Sequence, residues 1–237
     1  MVARLGLVNI HILPPFSRVA VTFVSEIVNG RLGIQTLNSI FVILMGFGIS
    51  LVLSVIIIAL CTSFKAADSL FDTLTTILNP LPAVAIMPLI IMWFGIDMTA
   101  MLVVIVHGVL WALARQLLDA LRAIPDVQIA FGRNIRLSPL QMFTGVAIFA
   151  IMPGLIAGLR IGWGRAWRAL ISVEMVFGLI GALGGLGHFI YMGRVYARIE
   201  EVFAGIIMVA IIGVVFESFV FTRLEIATTR KWGMTRE

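Results

Sequence analysis

Charge is scarce in this sequence. Asp, Glu, Lys and Arg make up 12% of its 237 residues, against about 25% in a soluble domain. With 61% hydrophobic residues and a mean hydropathy of +1.11, the composition excludes a water-soluble globular protein and indicates an integral membrane protein. Cysteine is nearly absent. Cys61 stands alone, which excludes an internal disulfide, and its apolar surroundings mark it as a small buried side chain. Three histidines, His11, His107 and His188, lie far apart and form no metal-ligand pattern with a single cysteine. No GxxxxGK[ST] loop is present, so this chain does not bind ATP in the P-loop manner. Its acids are too scattered to suggest paired catalytic carboxylates. Leu5 to Leu13 is too polar for the apolar region of a signal peptide, and no small-residue cleavage site follows, so no leader is expected there.

The apolar runs that are present are long. They predict helices, since barrel strands would alternate over about 10 residues and a helix satisfies its own backbone inside lipid. Val19, Phe23, Val24 and Ile27 recur at near-helical spacing within 16–28, which predicts an interfacial amphipathic helix. Spans are expected at 37–61, 79–95, 98–118, 143 to about 183, and 202–221, given that about 20 apolar residues cross a bilayer. The second of these carries Pro80, Pro82 and Pro88, which predicts a kinked helix with carbonyls in need of partners. Residues 62–79, with Lys65, Asp68 and Asp72, read as a connecting helix at the interface. Residues 184–198 read as a glycine-containing loop.

The organisation is therefore an all-α integral membrane protein with about five transmembrane helices. Residues 1–34 form an extracytoplasmic amphipathic segment. Residues 35–222 form a single transmembrane domain containing a basic connection at 121–142, and residues 223–237 a cytoplasmic tail. The net charge is +5. In a soluble protein that would suggest nucleic acid, but membrane proteins gather Lys and Arg in cytoplasmic loops, so the expected surroundings are membrane lipid and no nucleic acid. If 121–142 is cytoplasmic, that side holds Lys65, Arg115, Arg122, Arg133, Arg136, Arg223, Arg230, Lys231 and Arg236. The other side holds Arg4, Arg18, Arg31, Arg194 and Arg198. Nine against five favours this orientation, with the C-terminus cytoplasmic.

Four segments, in order, carry a resemblance: ILPPFSRV (12–19), NPLPAVAIMPLIIMWFGI (79–96), PGLIAGLRIGWGRAW with SVEM (153–167, 172–175) and GGLG (184–187). Together they resemble the permease subunits of bacterial ABC importers of the type I fold, in the branch that handles nitrate, sulfonates, taurine and bicarbonate. The likeness covers nearly the whole chain. It begins where family members have already completed one span, which leaves either a five-span subunit or a truncated start. It implies a multi-pass protein of the bacterial inner membrane that moves a small anion by alternating access. The implied partners are cytoplasmic ABC ATPase subunits, a second permease copy or homologous permease, and an extracytoplasmic substrate-binding protein. ATP and Mg would be bound by the partner ATPase, with no cofactor in this chain and no enzyme activity of its own.

The resemblance also makes 121–142 the ATPase-coupling loop, with Ile124, Pro125, Val127, Ile129, Ala130, Phe131, Gly132, Arg133 and Arg136 as its contact residues. The family's Glu-Ala-Ala motif falls on Ala130, Phe131 and Gly132, and Arg136 stands where the family has glycine. Pro88, His107, Arg160, Glu174 and Met175 are the candidates for the translocation path. A carboxylate inside a span is costly, by about 2.5–3.5 kcal/mol, so Glu174 either lines the path or its gate or forms a structural ion pair with an arginine of a neighbouring helix. Arg160, with Arg165 and Arg168, either attracts an anion or extends to the interface. His107 is either a hydrogen-bonded packing residue or a ligand. The alternatives to an importer are an ATP-independent channel and an intramembrane enzyme using Glu174 and His107.

Overall fold

Residues 13–178 and 184–230 are described in a computed structural model, and all of their regular structure is helical. The helices are α1 (Phe16–Val28), α2 (Arg31–Ser63), α3 (Lys65–Leu78), α4 (Met87–Phe94), α5 (Met98–Arg122), α6 (Asp126–Asn134), α7 (Pro139–Met142), α8 (Ile148–Phe177), α9 (Leu186–Val195) and α10 (Ile199–Val215). A π-helical turn at Phe143–Ala147 leads into α8, and another at Phe216–Phe221 follows α10. The expectations for 1–12, 179–183 and 231–237 fall outside the described residues.

Four helical segments among the described residues are long and apolar enough to cross a membrane: Arg31–Ser63, Met98–Arg122, Thr144–Phe177 and Ile199–Thr228. The expected span at 79–95 differs. Pro80 and Pro82 hold that stretch in short turns, with Ala85 N–H donating to the Pro82 carbonyl at 2.8 Å, and only the eight residues of α4 are helical. Eight residues rise about 12 Å, well short of the ~30 Å apolar core. Pro88 falls in the first turn of α4, where a missing N–H costs no bond. The expected loop at 184–198 is instead largely α9. Six of its ten residues are buried, among them His188 and Phe189, so it is an interior element. Its glycines disguise the helical pattern. The long span ends at Phe177, because Gly178 adopts a φ of 65°, the left-handed region that stops a helix.

Two hydroxyls within the apolar α2 bond back to their own helix. Thr36 donates to the Leu32 carbonyl and Ser54 to the Ser50 carbonyl, both at 2.7 Å, so neither is an uncompensated polar group in hydrocarbon.

The chain packs as two units, one from residues 1–46, 82–106 and 166–214, the other from 47–81, 107–165 and 215–237. In the first, Ile105 of α5 packs on Gly46 of α2 so closely that a Cβ there would lie 2.7 Å from Ile105 Cγ2. Arg31 pairs with Glu26 at 2.7 Å and Glu201 at 2.8 Å and lies over the Phe189 ring. Glu201 also pairs with Arg198 at 2.8 Å. Four helices, α1, α2, α9 and α10, thus meet in one charged knot.

In the second unit, Trp163 of α8 stacks on Phe216 at 3.9 Å and meets Phe47 of α2 edge-on at 6.1 Å. Phe71 of α3 stacks on Trp111 of α5. They join Cys61, Ala114 and Leu118 in one apolar cluster. Leu118 is 1% exposed there, whereas Leu70 on the other side of α3 is 60% exposed. Leu118→Ala is therefore expected to cost about 2 kcal/mol or more, and Leu70→Ala no more than about 0.5 kcal/mol, read as thermal unfolding of the purified protein in detergent.

Candidate functional site: a capped connecting helix and a buried carboxylate

Between the two long helices α5 and α8 stands α6. Pro125 opens it in an extended conformation and Asp126 occupies its first turn, where a carboxylate complements the positive end of the helix. Its C-terminus is a complete Schellman cap. The Leu137 N–H donates to the Gly132 carbonyl at 3.0 Å and the Arg136 N–H to the Arg133 carbonyl at 3.0 Å. The pivot of that cap is Arg136, with a φ of 57°. Position 136 is where the resemblance places glycine, so the backbone geometry is kept while the side chain is not. A non-glycine residue in this region carries about 1–2 kcal/mol of strain.

The expected contact residues divide by face. Val127, Phe131 and Ile135 are 78%, 62% and 54% exposed. Their four-residue spacing makes an apolar stripe along one side of the helix. Ala130, Arg133 and Arg136 are exposed beside it, and Pro125 at its start. Ile124 and Ile129 are half-buried and Gly132 is buried, the last against Met142 of α7. An uncovered apolar stripe flanked by two arginines is a surface suited to a partner with an apolar groove and an acidic rim.

The second cluster surrounds Glu174, which is 2% exposed on α8. Ser39 Oγ of α2 lies 2.7 and 2.9 Å from its two carboxylate oxygens and donates to them. The Gly187 N–H of α9 donates to Oε2 at 2.8 Å. Ser39 Oγ in turn accepts the Leu186 N–H at 2.8 Å. Asn38 Nδ2 donates to the Gly184 carbonyl at 2.9 Å. Glu174 thus caps the N-terminus of α9 from another helix, where the helix supplies unpaired N–H groups and partial positive charge. Among the described residues its partners are a serine and a helix end, with no arginine. Glycine is required here, since a Cβ at Gly185 would collide with the carboxylate and one at Gly187 with the Ile171 carbonyl. On α9 itself, burial pushes the His188 imidazole below the ordinary histidine range.

The other path candidates are dispersed. Met175 follows Glu174 and is half-buried, and Pro88 is exposed on α4. Those three belong to the first unit; His107 and Arg160 belong to the second. His107 Nδ1 accepts from Trp111 Nε1 at 3.3 Å. Arg160 is held between Glu217 at 3.1 Å and Glu225 at 3.3 Å, so two carboxylates already neutralise it. Arg165 donates to Asn79 Oδ1 at 2.8 Å, and Arg168 is exposed. Sequence reasoning missed Ser39, Asn38, Glu217 and Glu225. Glu217 and Glu225 are carboxylates within an otherwise apolar helical run, the one signal that could have found them.

The family model described as binding-protein-dependent transport system inner membrane component matches residues 55–222. The protein named as an aliphatic sulfonates transport permease in Bacillus subtilis is 28% identical over 220 residues, covering 93% of this chain and 78% of that protein. The taurine transport system permease protein of Escherichia coli is 29% identical over 148 residues, 62% of this chain and 52% of that protein. The nitrate import permease protein of Synechocystis is 26% identical over 189 residues, 80% of this chain and 67% of that protein.

Replacing Glu174 with alanine leaves the Gly187 N–H and the Ser39 hydroxyl buried without an acceptor, at about 1–3 kcal/mol each. Glu174→Gln keeps one acceptor oxygen and is expected to lose clearly less stability in the same detergent melt. Equal losses in the two variants would show that the donors are not what the carboxylate serves. Arg136→Gly is expected to raise stability by about 1 kcal/mol by removing the strain of the left-handed pivot, measured as an upward shift of the unfolding midpoint.

Proposed function

This chain belongs to the family of inner-membrane components of binding-protein-dependent transport systems and is a multi-pass permease subunit of an ABC transporter; from that premise we propose that α6 is the element on which a cytoplasmic ATPase subunit docks. The observation that carries the reading is the exposed stripe Val127–Phe131–Ile135 along a short helix closed at its C-terminus by a Schellman cap. Such a stripe needs a covering groove, and Arg133 and Arg136 would meet acids at its rim. ATP and Mg are bound by that partner. A second permease copy or homologous permease completes the path, and an extracytoplasmic binding protein delivers the solute. In this reading the α6 side of the chain and its C-terminus face the cytoplasm, as the excess of Lys and Arg supports.

The mechanism follows from two global states that contact the ATPases differently. ATP binding closes the ATPases, the α6 helices of the two permeases approach, and the path opens outward to accept solute. Hydrolysis returns it inward. The solute we propose is a small anion of the sulfonate, taurine, nitrate or bicarbonate kind, which the names of the relatives support. Arg160 is already neutralised, so choice among such anions falls largely to the binding protein. The residues proposed to line the path are Glu174 and Met175, with Pro88, His107 and Arg160. An ATP-independent channel or an intramembrane enzyme using Glu174 and His107 finds no support among the relatives.

The test is recovery of the ATPase. The chain, co-expressed with its cognate ATPase and solubilised in detergent, is expected to bring the ATPase down. Reversal of both Arg133 and Arg136 to Glu is expected to lower that recovery at least ten-fold at equal permease yield. Unchanged recovery would remove α6 as the docking element.

A further inference from the structure

The coupling helix is joined to the long helices by short connections, and what lies behind it is partly hollow. A crevice of about 530 Å³ is lined by Gln116 and Asp119 of α5, Ala123 just past it, Gln128 of α6, and Pro153 and Gly154 of α8. Packing of α6 itself is therefore a soft route for displacement. A firmer one runs beside it through α3.

Asp68 and Asp72 stand four residues apart on α3, on one face of the helix. Arg115 and Arg122 stand seven apart on α5, again on one face. Arg115 pairs with Asp72 at 2.6 Å, and Arg122 pairs with Asp68. Asp119, one turn along α5, steadies Arg115 at 3.1 Å. The order of the pairs makes the two helices antiparallel. Beside the charged rungs is the apolar cluster of Cys61, Phe71, Ala114 and Leu118, with Phe71 stacked on Trp111. Just past the far end of α3, Asn79 accepts from Arg165 of α8 at 2.8 Å. One amphipathic helix thus ties the end of α5 to α8, the two helices between which α6 and α7 are strung.

We propose that α3 is a strut that makes the end of α5 and the middle of α8 move as one body when α6 is displaced, with Asp68, Asp72, Arg115 and Arg122 as its positioning residues. This rests on the reading of α6 as the docking element. Exposed ion pairs contribute little to stability, and each of these side chains is about a third to a half exposed. Their loss therefore spares the fold, which the apolar cluster holds, and loosens the register of α3 on α5. The pairs serve transmission more than stability.

The experiment uses the permease–ATPase complex in proteoliposomes, with ATP hydrolysis measured with and without the solute-loaded cognate binding protein. Asp68→Arg alone and Arg122→Asp alone are expected to recover as much ATPase as the unaltered chain. Stimulation of hydrolysis by the binding protein is expected to fall at least five-fold in each. The double variant with the charges exchanged is expected to return to within two-fold of the unaltered stimulation, which a general loss of packing would not do. Full stimulation in both single variants, or no recovery in the exchanged pair, would overturn the strut. Failure of the unaltered chain to recover any ATPase would instead overturn the docking reading, and this inference with it.

Discussion

A carboxylate shielded from water must be met by donors, and the way Glu174 meets that demand fixes the packing around it. The donors come from Ser39 of α2 and from the first turn of α9, so three helices are brought to one point. The N-terminus of α9 gains by the same contacts, since its first N–H groups have no partner within the helix. Each side removes a cost that the other would otherwise bear. Glycines at 185 and 187 follow from this, because the backbone of α9 must touch the carboxylate and the neighbouring turn of α8. The GGLG sequence is thus a packing requirement with a stated cause.

The arginines obey a similar rule in the other unit. Arg160 has two carboxylates, Arg115 two, and Arg122 one, while Arg165 has an amide oxygen. Arg115, Arg122 and Arg160 are thereby neutralised by carboxylates of the same chain. Arg133 and Arg136, at the C-terminal end of α6, have no ion-pair partner among the described residues, and the apolar stripe beside them is open. That contrast separates side chains paired within the subunit from side chains left open on its surface, as the proposed docking of an ATPase on α6 requires.

Much of the fold was legible in the sequence. The runs at 37–61, 98–118, 143–183 and 202–221 became long helices with shifted ends, and the 62–79 stretch became α3. Two elements were misread, for opposite reasons. Three prolines suggested a kinked span at 79–95, but they break the ladder too often for a helix to recover before α4. Glycines at 184, 185 and 187 suggested a loop, yet they accommodate close contact at the start of a buried helix. The site was legible only in part. Of the expected coupling-loop residues, Val127, Ile129, Ala130, Phe131, Gly132 and Arg133 lie on α6, and Ile124, Pro125 and Arg136 flank it, because the resemblance assigns them to one contiguous stretch. Partners of Glu174 and Arg160 lie 135 and 65 residues away in sequence, and no periodicity reports on such pairings. The left-handed backbone at Arg136 was equally invisible, since an arginine gives no hint of it.

Cys61, the single thiol of the chain, is 8% exposed and sealed among Phe71, Ala114 and Leu118. Nature has thus supplied a background in which water-soluble thiol reagents have almost nothing to find. A cysteine placed at any exposed position becomes the one reactive handle for a spin label, a fluorophore or a cross-linker. The motion of each helix against its neighbours can then be followed in the membrane without first rebuilding the protein's interior.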